Sequence, residues 1–235
     1  MVSASPHNVN IDAGVTARGL HGEAYRGHIF WDELYILPFY FIHFPDVAKS
    51  LLLYRYRRLD EARKYAAAYG YEGAMFPWQS GSTGREETQV VHLNPLTGEW
   101  GPDHSSLQRH ISLAIAFNIW QYYHTTNDLE FLKKYGAEMF LEICRFWASK
   151  AEYDGDDQRH HIDKVMGPDE FHEKYPDRDE GGIKDNTYTN LMTVWALDRA
   201  FDILRLIDGE KRQQVLSKIK LTDDELERWR DIEQN

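Results

Sequence analysis

Apolar positions recur every three or four residues through most of the chain, the signature of helices with one buried face. Residues 46–69, DVAKSLLLYRYRRLDEARKYAAAY, are rich in Ala, Leu and Arg and run into Gly70, which readily takes the left-handed conformation that closes a helix. The spacing predicts one helix over 46–69. A second helix is expected from a capping Ser105 or Ser106 to about Thr125, burying Leu107, Ile111, Ala114, Ile115, Ile119 and Tyr122. Asn127 is expected to cap a third, which buries Leu129, Leu132, Met139, Phe140, Ile143 and Trp147. The short link between the two makes them antiparallel neighbours. The pattern turns polar around Gly155, Asp156 and Asp157, as in a hairpin, before a fourth helix over about 186–208. Thr222-Asp-Asp-Glu225 is a capping box opening a last one. Residues 72–105 break every period with Pro77, Pro95, Pro102 and several glycines, so they form a long loop with short pieces of structure. Trp78 and Trp100 within it point to function. Long helix, elaborated loop, long helix describes an all-α toroid or bundle with its chemistry on inter-helix loops, a single domain over 1–235.

Composition narrows the classes. With 27 Lys+Arg against 38 Asp+Glu the net charge is −11, so clustered cations for nucleic acid or anionic membrane are not in excess. Cys144 is the sole cysteine, which excludes an internal disulfide and a cysteine-based zinc site. The first residues, MVSASPHNVNID, have no cationic and apolar leader, and the apolar run 35–44 is too short to span a bilayer, so a cytoplasmic protein is expected. The 7 Trp, 14 Tyr and 11 Phe exceed what a small core needs, and flat rings suit sugar faces.

Three segments can carry chemistry. In Val165-Met-Gly-Pro-Asp-Glu-Phe-His-Glu173, Gly167 and Pro168 force a turn that holds Asp169 and Glu170 between apolar Met166 and Phe171. Desolvation there favours a neutral carboxyl, which makes Glu170 the best general-acid candidate; the alternative is a solvated turn. In residues 21–33, HGEAYRGHIFWDE, Trp31 could stack on a ligand while Asp32 bonds its hydroxyls, or both could simply begin a helix. Met75-Phe-Pro-Trp-Gln79 is an aromatic cluster that alone reads as packing. Gly81-Ser-Thr-Gly84-Arg85 lacks the Lys and the helix start of a phosphate cradle. The eleven histidines, His160-His161 and the His104, His110 pair included, show no metal-ligand spacing, so no metal and no cofactor are expected.

Taken in order, GLHGEAYRGHIFWDE (19–33), GAMFPWQSG (73–81), GPDEFHE (167–173) and DNTYTN (185–190) resemble glycoside hydrolase family 65 across nearly the whole chain. Its members include inverting phosphorylases of maltose, trehalose and kojibiose as well as acid trehalases. The resemblance implies an (α/α)6 barrel, with Glu170 as general acid. Phe30, Trp31, Asp32 and Trp78 would hold a glucosyl ring, and Asn186 and Asn190 would contact substrate. Inorganic phosphate is the implied co-substrate and attacks the anomeric carbon directly, whereas a hydrolase would need a second carboxylate. The linkage-determining acceptor contacts would draw on residues 80–103.

The family's full enzymes carry a β-sandwich, twelve barrel helices, a small sheet and phosphate-binding residues in the later half of the barrel. About five or six long helices are visible here, so the chain is expected to be the N-terminal half of the catalytic domain. Alone it should have little phosphorolytic activity, and it should associate as a homodimer or with the missing half. A non-catalytic carbohydrate-binding remnant is the alternative outside enzymology.

Overall fold

The computed structural model describes residues 5, 7, 9–17, 25–168 and 172–235. Glu170, and the 19–24 part of the first motif, lie outside the described residues. The fold is all-α with two small hairpins. Helices α1 (Glu33–His43), α2 (Pro45–Tyr56) and α3 (Leu59–Ala68) precede a long loop that contains the antiparallel pair β1 (Val91–Leu93) and β2 (Trp100–Pro102). Then come α4 (Ile111–Thr126), the turn α5 (Leu129–Phe131), α6 (Ala137–Lys150) and a second hairpin of β3 (Glu152–Asp154) and β4 (Arg159–His161). Finally α7 (Thr187–Leu206), α8 (Gly209–Ile219) and α9 (Asp223–Gln234) follow.

The core sits around α4, which packs against α1, α2, α6 and α7, while α6 continues it to α7, α8 and α9. Both central helices bury nearly their whole circumference, which is why their apolar residues outnumber those of one stripe. Gly73 lets the start of the long loop lie directly on α6. With φ of 71°, its Cβ would stand 2.2 Å from the Glu142 carbonyl oxygen, and next to it the Ala74 N–H donates to that same oxygen at 2.8 Å. No helix among the described residues is long and apolar enough to cross a membrane.

Several boundaries differ from the sequence reading, each for a tertiary reason. The helix expected over 46–69 breaks at Arg57 and Arg58. The buried Arg58 guanidinium takes the Tyr54 carbonyl at 2.9 Å and also reaches Asp12 and the Ser82 carbonyl, both at 2.8 Å, so the carbonyl is captured by a side chain. The expected start at Ser105 is only a 3₁₀ turn, Ser105–Leu107, because the Leu107 carbonyl accepts from Met166 N–H at 2.9 Å and α4 begins four residues later. Asn127 ends α4 in the left-handed conformation, and it is Asp128 that caps the next turn through Phe131 N–H. From there a π turn, Leu132–Gly136, leads into α6. Helix α8 was not anticipated: its polar sequence buries only Val215 and Ile219, and Asp208 caps it. The hairpin at 152–161, the start of α7 after Asn186 and the Thr222 capping box appear as read.

Candidate active site

Two loops far apart in sequence are stitched together by a two-way backbone bridge. Ile29 N–H donates to the Ser80 carbonyl and Ser80 N–H to the Ile29 carbonyl, each at 2.9 Å. This brings Phe30 and Trp31 beside Trp78, with ring centroids 5.4 Å and 6.2 Å apart respectively. His110, at the start of α4, closes the group at 4.8 Å from Trp31 and 5.2 Å from Trp78. Tyr188, in the first turn of α7, adds an edge at 5.9 Å from His110 and 6.4 Å from Trp31. Phe30 and His110 are buried and Trp31, Trp78 and Tyr188 half-buried, so the rings make a cup with a closed floor and an open aromatic rim.

The cup is held from behind by buried polar groups. Arg55, 1% exposed, donates Nε to Glu33 Oε2 and Nη2 to the Phe30 carbonyl, both at 2.9 Å. Burial raises the Glu33 carboxyl above the ordinary carboxylate range, with Arg55 opposing that rise. An ion pair so enclosed fixes the turn before α1, and removing one partner strands the other charge at a cost of about 3–5 kcal/mol. On the other loop Tyr54 donates to the Gly81 carbonyl at 2.6 Å, and Ser80 donates to Tyr54 at 2.8 Å. Gln79 Nε2 donates to His28 Nδ1 at 2.7 Å.

His110 lies at the centre of this frame. Burial drives its pKa down to about 3, so the imidazole is neutral at any physiological pH. Neither ring nitrogen has a partner among the described residues. Buried polar atoms are ordinarily satisfied, so a neutral imidazole sealed beside two indoles with both nitrogens unbonded carries a cost in stability.

Of the residues singled out from sequence, Phe30, Trp31 and Trp78 therefore come together. Asp32 begins α1 next to them and is partly exposed. Asn186 lies at the edge. Its Oδ1 caps α7, accepting from Thr189 N–H at 3.0 Å, and its Nδ2 abuts Gly167, where a Cβ would come within 2.7 Å. A side chain at Gly167 would also press on His172, so glycine lets this backbone lie close against the start of α7. Either side of the outside-lying 169–171, Gly167 N–H donates to the His172 carbonyl at 3.3 Å and His172 Nδ1 to the Pro168 carbonyl at 3.1 Å. Asn190 instead lines a separate cavity of about 420 Å³ between β4, α7 and α9, with His161, Thr193 and Glu233. Sequence reasoning missed His110, Tyr188 and Gln79. A histidine placed directly before the apolar run ISLAIAF was the one available signal, and it resembles a core histidine.

The second hairpin locates α7. His161 donates to Asp185 at 2.6 Å and pairs with Asp157 at 2.9 Å, and these hydrogen bonds raise its pKa above the ordinary 6.5. Asp185 also accepts from Ile162 N–H at 3.1 Å and has a positive φ of 57°, so it turns the chain into the helix start that presents Asn186 and Tyr188. Asp154, Asp157 and His161 bring ligand-type atoms within 4.8 Å of one another, an exposed group already used in the hairpin's own hydrogen bonds.

Comparison with known proteins identifies the family. The family profile described as the glycosyl hydrolase family 65 central catalytic domain matches residues 1–235. The trehalose 6-phosphate phosphorylase of Lactococcus lactis subsp. lactis is 50% identical over 94% of this chain and 30% of its own length. The kojibiose hydrolase of Flavobacterium johnsoniae is 42% identical over 73% of this chain and 23% of its length. A solved human-microbiome structure assigned as a kojibiose phosphorylase superposes with a TM-score of 0.78 at 32% identity, covering 95% of this chain and 27% of that one. The chain belongs to glycosyl hydrolase family 65, a family of glycoside phosphorylases and hydrolases. It spans less than a third of the length of these relatives.

Proposed function

We propose that the protein performs inverting phosphorolysis of an α-linked glucose disaccharide, releasing β-glucose 1-phosphate and a free sugar. These helices would form part of an (α/α)6 catalytic barrel whose remaining parts hold the phosphate. The observation that carries the reading is the aromatic cup. Trp31 and Trp78 offer flat faces to a glucosyl ring, neutral His110 offers one donor and one acceptor to its hydroxyls, and Asp32 stands at the rim. Glu170, in the turn whose flanks are pinned beside Asn186, is the general acid that protonates the departing glycosidic oxygen. Phosphate attacks the anomeric carbon from the opposite face and, being already nucleophilic, needs no carboxylate base. Asn186 then acts mainly by fixing the α7 terminus, and the hairpin-bearing segment 80–103 shapes acceptor choice.

The test is turnover of α-glucosides, trehalose 6-phosphate and kojibiose among them, by the whole protein with and without phosphate. Release of glucose 1-phosphate only when phosphate is present supports the reading, and Glu170→Gln should lower kcat by about 10²–10⁴ while sparing sugar binding. A hydrolase is the second reading, favoured by the similarity to the kojibiose hydrolase. It requires phosphate-independent release of free glucose and a second carboxylate roughly 6.5–9.5 Å from the acid. Sugar binding with no turnover under either condition would leave a carbohydrate-binding role.

A further inference from the structure

Glu86 is the most heavily used carboxylate near the cup, and no sequence motif accounts for it. Its Oε2 accepts from Trp78 N–H at 2.8 Å and from the Tyr65 hydroxyl at 3.3 Å. Its Oε1 accepts from Gln79 N–H at 3.0 Å, Thr88 N–H at 3.3 Å and the Thr88 hydroxyl at 2.6 Å. Two consecutive backbone N–H groups are therefore gripped by the two oxygens of one carboxylate, at the residue that supplies the platform indole and at its neighbour. Behind it, Tyr65 accepts from Arg109 Nη1 at 2.6 Å, and Arg109, 4% exposed, lies over the Tyr65 and Tyr69 rings. Arg109 directly precedes His110, so the chain of hydrogen bonds that starts at the Trp78 backbone ends on the residue next to the cup's imidazole.

From this network we infer that Glu86 is a positioning residue that sets the orientation of Trp78 and Gln79 toward the sugar; the inference rests on the cup being a glucoside site. Five donors converge on two oxygens, an arrangement an anion satisfies and an amide cannot, because an amide must aim its own N–H₂ at other donors. The platform would touch the ring equally in the ground and transition states, so its misplacement should appear in KM rather than in kcat.

The experiment combines kinetics with amide hydrogen exchange on Glu86→Gln and Thr88→Val in the whole protein. For Glu86→Gln we expect exchange at the Trp78 and Gln79 amides to accelerate by about 10-fold or more with α4 and α6 still protected, and KM to rise about 10-fold with kcat changed less than about threefold. Thr88→Val, which removes one hydroxyl donor, should move the same quantities about two- to threefold. Unchanged exchange at Trp78 and Gln79 overturns the inference, as does faster exchange with unaltered KM. Should Glu86→Gln lose core protection, Thr88→Val decides: a shift in KM with an intact core upholds the inference, and no shift overturns it. Failure of the wild type to turn over any α-glucoside would instead overturn the proposed function, and the exchange data would still show whether Glu86 holds the Trp78 loop.

Discussion

Two polar regions of the molecule are built on opposite rules. Where α3, α6 and α8 meet, the buried carboxylates Glu138 and Glu142 are paired with cations. Arg63 bonds Glu138 at 2.8 Å and Glu142 at 2.9 Å, Lys218 and Tyr56 complete Glu138 at 2.6 and 2.9 Å, and Arg145 bonds Glu225 at 2.8 Å. In the aromatic cup His110 is as deeply buried as any of these groups, yet both its nitrogens are unpartnered among the described residues. Saturation is what a scaffold needs. Unused hydrogen-bonding capacity costs stability, and in the proposed glucoside site a sugar hydroxyl would supply the partner His110 lacks.

That contrast can be broken by substitution, and the largest effect is expected on the charged face. Glu138→Ala removes one of Arg63's three carboxylate partners and the partner of the exposed Lys218, and because Arg63 keeps Glu142 and Asp60 the loss should be about 2 kcal/mol, below the range for a fully enclosed pair, measurable by urea unfolding. In the cup, Trp78→Ala should cost about 1–2 kcal/mol in urea stability, less than loss of a fully buried indole because the ring is only partly buried, but raise KM for the glucoside by about 10–30-fold. If it unfolds the protein instead, the cup is core and not site. His110→Phe sharpens the comparison most, because scaffold and site predict opposite signs. Removing two unpaired buried nitrogens should stabilise the fold by about 1 kcal/mol while lowering kcat/KM. A destabilised variant with normal kinetics would mean the imidazole is structural.

The pH response should divide along the same line. Although partial burial pushes the other way, hydrogen bonds from Arg63, Lys218 and Tyr56 hold Glu138 below its ordinary value of 4.5. Its stabilisation is therefore present above about pH 4.5 and is lost as pH falls through the lowered value. His161 behaves inversely. Its raised pKa, due first to Asp185, means the pairing that anchors α7 is complete below about 6.5 and fades as pH rises through the folded value. Proton NMR titration of His161 should show that raised midpoint, and Asp185→Asn should return it toward 6.5. Neutral His110 should not titrate above about pH 5.

Local chemistry was legible where a residue acts on its own neighbours. The Thr222 capping box, the Gly70 cap and the polar 155–157 turn involve partners a few positions away, so their pattern is in the sequence. The break at Arg58 was not legible, because an arginine in a helical run looks like any solvated arginine until Asp12 and Ser82 arrive beside it. Asn127 reads as a cap, but it ends α4 in the left-handed conformation and the capping falls to Asp128. Phe30, Trp31 and Trp78 were readable as aromatic clusters and, through family resemblance, as one site, yet His110 was indistinguishable from a core residue.

By itself the sequence determined an all-α chain, its main helices and the motifs of a glycoside-active family, because helical period, caps and short motifs are encoded within a few residues. Only the tertiary structure decided that the indoles of two loops meet over a neutral imidazole, that Glu86 grips the platform and that Asn190 faces another cavity. The ring contacts join residues about 30 to 160 positions apart, whose energy exists only once the helices have packed, and the shorter-range Glu86 contacts matter because those packed rings make Trp78 a platform.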